Sequence, residues 1–327
     1  MTPGQGRAPV LVAPDSFKGT FAADAVASAI GNGLRGGGRE AIELPIADGG
    51  EGTMDVLVAA LGGERRSERV SDPLGRDLDA AWALLHDGRA VVECAQASGL
   101  DLVAEDERDA FAASTRGTGE LIVAAVQAGA EAVLVTVGGS ATSDGGDGAI
   151  SALEDAGVRP RLEVLCDVRV PWEQAPSVFS PQKGADAATI TRLERRLAAL
   201  AARSPRDPRG VTMSGAAGGL SGGLWARCGA KLVRGAPYVL DALGFDAAMR
   251  CAAFAITGEG RLDRQTLQGK AAGEAATRCR QNGVGCHAVV GSSALGLFEQ
   301  RILDLETVTE ASTLAELEAA GRTLADH

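Results

Sequence analysis

The chain has 327 residues, 45% of them hydrophobic, enough to bury a large core and to form two domains rather than one. Its net charge of −11 and its 3% aromatic content exclude a nucleic-acid binder that relies on a basic face or on stacking platforms. The polar opening MTPGQGRAP predicts no export signal, and no apolar run approaches the ~18 residues of a membrane span, so a cytoplasmic enzyme is expected.

A first strand is predicted at Val10 to Ala13, followed by PDSFKGT and an Ala-rich helix from Ala22 to Leu34 that ends in GGG. A second strand, Glu40 to Ile46, delivers ADGGEGT, and a helix follows from Met54 to Leu61. Two strand, loop, helix units in succession predict a parallel sheet whose site lies at the strand C-termini. From Arg69 to Val92 the pattern changes: alternating segments with the turn signals DPLGRD and HDGR predict antiparallel hairpins. The helical pattern resumes with STRGTGELIVAAVQAGA and leads to a buried strand at Val133 that runs straight into VGGSATSDGGDG.

A short GVRP connection then precedes a strand at Leu162 to Val168 and an amphipathic helix at Ala188 to Ala202. Residues 201–210 read as a mobile loop. The glycine-dense GAAGGLSGGLWARCGAKL reads as a helix packed very close to a neighbour. Last come a buried strand at Ala252 to Ile256 delivering TGEGRLDRQTLQGK, a helix from Ala271 to Gln281, a strand from His287 to Val290, and a terminal strand and helix. These final units resemble the first two. The expected architecture is a doubly wound α/β domain made of residues 1–67, 115–157 and 250–327, with a mixed α/β domain inserted as residues 68–114 and 158–249.

Five acidic clusters fall at predicted strand ends: Asp15; Asp48 with Glu51; Asp144; Asp167; and Glu259 with Asp263. Strand C-termini of an α/β fold converge on one crevice, so several of these carboxylates are expected to meet there. Only four of the 32 basic residues are lysines, and Lys18, Lys183 and Lys270 each adjoin a glycine. An ammonium in a glycine-flanked loop suits a phosphate oxygen, and carboxylates welcome phosphate when a divalent cation carries it. Glycine also serves ordinary tight turns, and any one aspartate can cap a helix. The six cysteines contain no CxxC pair, and the three histidines (His86, His287, His327) give neither a zinc pattern nor a Cys/His couple. No GxxxxGK[ST] loop occurs, no GxGxxG follows a strand, and GGSAT is not a GxSxG elbow.

APDSFKGT, ADGGEGT, STRGTGELI, VGGSATSDGGDG, CDV with SPQKGA, GAAGGL and TGEGRLDRQTLQGK, in this order over nearly the whole chain, closely resemble the bacterial glycerate kinases. The resemblance implies ATP-dependent phosphorylation of D-glycerate with Mg²⁺, usually to 2-phosphoglycerate, by a discontinuous flavodoxin-like domain carrying a second domain. Residue type and position at the strand ends give Asp167 the role of proton acceptor, with Asp48 as the alternative, and place Lys183 and Lys270 on the transferring phosphoryl group. Asp15, Ser16, Lys18, Asp48, Gly49, Gly50 and Glu51 would bind the small acid. Gly138, Gly139, Ser140, Thr257, Gly258, Gly260 and Asp263 would bind the nucleotide, and Asp144 and Glu259 the metal. No nucleic-acid or membrane partner is expected, and a homodimer is left open.

The chain departs from the family pattern at four places. GVRP stands where members carry some tens of residues, which predicts a shortened second domain; RVPWEQ replaces an Asn-Pro turn after CDV; Ser180 replaces a glycine; and Ala271-Ala272 replaces Thr-Pro. A related small hydroxy or sugar acid as substrate, or a catalytically silent nucleotide-binding relative, is the competing expectation.

Overall fold

The computed structural model describes residues 7–327; the reading of the leader at residues 1–6 lies outside them. In chain order the strands are β1 (Val10–Pro14), β2 (Ala41–Glu43), β3 (Gly63–Ser71), β4 (Asp77–Leu85), β5 (Arg89–Glu93), β6 (Ala132–Thr136) and β7 (Leu162–Cys166). They continue as β8 (Lys231–Arg234), β9 (Ala255–Gly258), β10 (Arg261–Leu262), β11 (Cys286–Val290), β12 (Ser292–Ser293) and β13 (Leu305–Glu310). The chain divides into two compact units, one of residues up to Asp48 together with Ala236–His327, the other Gly49–Gly235.

The first unit holds a five-stranded sheet in the order β13-β11-β9-β1-β2, parallel throughout. Its central strand β1 is apolar on both faces. Leu11 and Ala13 pack with Leu240, Phe245 and Met249, whereas Val10 and Val12 pack with Val26, Ile30 and Leu34 of the helix Ala23–Gly36. Each such side chain taken from water is worth roughly 1.5–3 kcal/mol, so β1 is held firmly from both sides. β2 is shorter than the sequence suggests, but its ladder continues: Leu44 N–H donates to the Val12 carbonyl and Ile46 N–H to that of Pro14, both within 2.9 Å. That extension carries Asp48 along the edge of β1 toward its C-terminal end.

The second unit holds a six-stranded sheet in chain order β3 to β8. β3, β4 and β5 form the antiparallel meander that DPLGRD and HDGR announce, and β5 to β8 are parallel. Residues 115–157 therefore belong with this unit and not with the first, because β6 pairs with β5 and β7. Residues 49–67 and 236–249 also change sides relative to the expected boundaries. A parallel strand, loop, helix pattern looks the same in either sheet; only pairing decides which sheet a strand joins.

The Leu220–Cys228 helix does pack as closely as its glycines imply. A Cβ on Gly223 would lie 2.0 Å from the Gly145 carbonyl oxygen. The residues before it are not helical, with Ala217, Gly218 and Gly219 all at positive φ. The segment read as mobile begins inside the helix Ala187–Arg203, whose Asp186 cap accepts the Thr189 N–H at 2.7 Å. No helix among the described residues is long and apolar enough to cross a membrane.

Candidate active site

In the first unit the chain runs from β1 outward to β2, returns on the other side of β1 as β9, and continues outward to β13. The order reverses between β1 and β9, and ligands of open α/β sheets bind at such a reversal, beyond the strand C-termini. A cleft of about 360 Å³ opens there, lined by Asp15, Lys18, Asp48, Glu259, Asp263 and Lys270 among others. Asp15 follows β1 directly, and its N–H donates to the Gly258 carbonyl at 2.8 Å, so the ends of β1 and β9 are tied together. Gly260 permits the loop after β9 to approach Phe17 and Lys18: a Cβ there would stand 3.2 Å from the Phe17 Cα.

Asp15, Asp48 and Glu259 are all nearly buried, at 7%, 3% and 6% exposure. Burial, followed by the Asp48 charge, raises the Asp15 carboxyl well above the usual range, while the Ser16 N–H and Lys18 pull the other way. Burial also pushes Glu259 up to about 7, opposed by the Thr266 hydroxyl and Lys270. Asp15 and Glu259, whose ionisation burial disfavours, stand beside Asp48 in a site short of positive charge. Among the described residues no three His, Cys, Asp or Glu side chains form a ready cage for a metal ion. Mg²⁺ does not need one, because it keeps several waters and takes one or two carboxylates plus phosphate oxygens, so these residues fit a cation that arrives with a polyphosphate.

The remaining first-unit residues divide by what they touch. Ser16 N–H donates to Asp15 Oδ1 at 2.6 Å. Thr257 Oγ1 donates to the Ala13 carbonyl at 3.1 Å, and Gly258 lies against the Val289 carbonyl, so both serve strand packing. Asp263 Oδ1 accepts the Gln265 N–H at 2.8 Å and shapes the loop.

In the second unit the glycine-rich loops do what their composition suggests. Gly138 lies so close to Gly50 that a Cβ would be 2.7 Å from its Cα, and a side chain on Gly139, at φ +70°, would meet the Glu51 carboxylate. Gly49, at φ +94°, passes equally close to Gly235 and Leu165. Asp144 does not present itself to a metal. It is 1% exposed, and its two oxygens accept Thr115 N–H, Thr115 Oγ1–H, Gly146 N–H and Gly148 N–H at 2.8 to 3.1 Å. Four donors satisfy it, and it binds the starts of two helices together.

Lys183 is likewise turned inward, at 2% exposure. Its Nζ donates to Ser140 Oγ at 2.9 Å and to the Thr142 carbonyl at 2.6 Å, and burial lowers it to about 8. It pins the loop that the sequence reading gives to phosphate. Asp167, half-buried, follows β7 at the strand C-terminus. Three residues escaped the sequence reading: Thr115 and Thr266, whose hydroxyls hold Asp144 and Glu259, and Glu93, buried at the end of β5 with Oε1 accepting the Met54 N–H at 2.8 Å. Threonine before a helix reads as a cap, and a single glutamate ending an apolar strand carries no local signal.

A parallel sheet that gathers buried carboxylates and lysines at its strand C-termini is the arrangement of α/β proteins that bind small charged ligands. Comparison with known proteins narrows the class. The model of the glycerate kinase family matches residues 10–159 and 155–321, two stretches that meet where the sequence reading finds a shortened connection. The chain is 37% identical over 301 residues to "Glycerate 2-kinase" of Escherichia coli K12, covering 80% of this chain and 79% of that one. It is 39% identical over 336 residues to "Glycerate kinase" of Halalkalibacterium halodurans, covering 90% and 88%. A crystal structure of a protein assigned as glycerate kinase 2 from Salmonella typhimurium LT2 superposes with a TM-score of 0.82 at 32% identity, covering 98% of both chains. The chain belongs to the glycerate kinase family.

Proposed function

We propose that the protein transfers the terminal phosphoryl group of ATP to D-glycerate, giving 2-phosphoglycerate. The observation that carries this reading is the first-unit cleft, where three buried carboxylates and two loop lysines stand at the strand reversal of a glycerate kinase family chain. The sheet order, renumbered within that unit as 2-1-3-4-5, supports a flavodoxin-like domain.

In this proposal Glu259 and Asp48 hold Mg²⁺, and Asp144 leaves that role because its oxygens are already engaged. When bound, Mg²⁺ supplies neutralisation of the charge that develops on the phosphate oxygens. Lys270 adds a positive charge at the same wall, and the Gly260 and Asp263 loop lies against the phosphates. Lys18, Asp15 and Ser16 bind the carboxylate and hydroxyls of the small acid. Asp167 accepts the hydroxyl proton. Lys183 acts by fixing the Ser140 to Thr142 loop rather than by touching phosphate.

The test is ADP release from ATP with D-glycerate and a panel of small hydroxy acids, with the product position read by phosphorus NMR. Turnover with D-glycerate yielding the 2-phosphate is expected. Nucleotide binding without ADP release, or faster turnover with another acid, overturns the assignment.

A further inference from the structure

We infer that Thr266 is a positioning residue that sets the orientation of Glu259 for the cation-bound phosphates; this rests on the function proposed above. Thr266 is 1% exposed, and its Oγ1 makes two hydrogen bonds of opposite sense. It donates to Glu259 Oε1 at 2.5 Å and accepts the Asp263 N–H at 3.1 Å. One hydroxyl therefore connects the residue that follows β9 to the turn that follows β10, both of which contribute to the cleft wall.

The backbone of Thr266 fixes a third element. Its N–H donates to the Asp263 carbonyl at 3.0 Å, and its own carbonyl accepts the Gly269 N–H at 3.2 Å. The helix Ala271–Asn282 packs directly on that carbonyl, since a Cβ on Gly273 would come within 2.0 Å of it. Lys270 immediately precedes this helix. The Thr266 hydroxyl thus orients Glu259, while the Thr266 backbone, which T266V keeps, places the turn that leads to Lys270.

A glutamate has three rotatable bonds, and leaving it unanchored would let it sample orientations that the cation cannot use. With Oε1 held by a donor that is itself oriented by a backbone amide, the carboxylate keeps one orientation before ligand arrives, as preorganised sites require. A hydroxyl is needed for this, and a methyl group of the same shape cannot replace it.

The experiment compares wild type, T266V and T266S, and adds E259Q and the double variant T266V/E259Q. The probe is Mg²⁺-ADP, titrated by calorimetry, with steady-state KM values for Mg²⁺-ATP and D-glycerate measured alongside. T266V is expected to weaken Mg²⁺-ADP about tenfold, corresponding to ~1.4 kcal/mol. It should raise KM for Mg²⁺-ATP while leaving KM for D-glycerate unchanged, and T266S should restore both quantities. In the E259Q background T266V should cause no further loss. Wild-type affinity in T266V, or losses that add in the double variant, overturns the inference and leaves the proposed function standing. Failure of the wild-type protein to bind Mg²⁺-ADP overturns the proposed function, and the inference falls with it. Should T266V unfold, loss of Mg²⁺-ADP binding in folded T266S would overturn the inference and retained binding would support it.

Discussion

Replacing Glu93 by Gln should stabilise the protein at alkaline pH and do little at pH 5. Glu93 ends β5 at 2% exposure, and its pKa rises from 4.5 to about 7 because burial disfavours its charge and Asp55 and Glu51 lie nearby. The native carboxyl binds its proton more tightly than the unfolded one does. Between pH 4.5 and about 7 the unfolded chain therefore carries fewer protons, and stability falls as pH rises through that window. At ~1.4 kcal/mol per pH unit the loss reaches about 3 kcal/mol above pH 7. Glutamine keeps an oxygen for the Met54 N–H and carries no charge, so E93Q avoids the loss. Urea unfolding of wild type and E93Q at pH 5 and at pH 8.5 measures the effect. A stability difference that is the same at both pH values, or a less stable E93Q at pH 8.5, would refute the reasoning.

Other substitutions test the second unit. D144N turns an amide group toward donors that need an acceptor, and should destabilise the protein by about 2–4 kcal/mol in urea; unchanged stability would show that the four-donor bracket is not holding the loop. Lys183 titrates at about 8 instead of 10.5, so the unfolded chain holds more protons between those values and stability should rise with pH there. In K183M that rise, about 3 kcal/mol, should disappear from the comparison of unfolding curves at pH 7 and pH 10.5. D167N should lower turnover by a factor of ~10²–10⁴ while its unfolding curve stays that of wild type; an active, folded variant would place the proton acceptor elsewhere.

Much of the architecture could be read from periodicity. The β3 to β5 meander followed from DPLGRD and HDGR, and the amphipathic Ala187–Arg203 helix appeared within a residue of its expected limits. Assigning strands to sheets failed at residues 115–157, because strand partners are chosen by long-range packing that no local window contains. For the site, residue type indicated which loops carry polar chemistry but not which atoms remain available. Asp144 and Asp48 look equivalent as aspartates among glycines. Backbone N–H groups surround Asp144, whereas Asp48 lines the cleft. Lys183 beside Gly184 suggested an ammonium offered to phosphate, yet the same short turn directs it into the interior. The hydroxyls of Thr115 and Thr266 act across distances in sequence that spacing rules do not cover.

The register that pairs Leu11 with Ala255 has a consequence for biosynthesis. β1 is synthesised before Gly49–Gly235, but the strand that completes its central pairing is made only after the whole of that stretch. Until then an apolar strand waits with one flank unpaired, while the inserted unit, continuous in sequence, has all its residues in hand first. The two units are thereby given an order of assembly: the insertion can close on itself first, and the sheet that carries the cleft is finished by the last third of the chain.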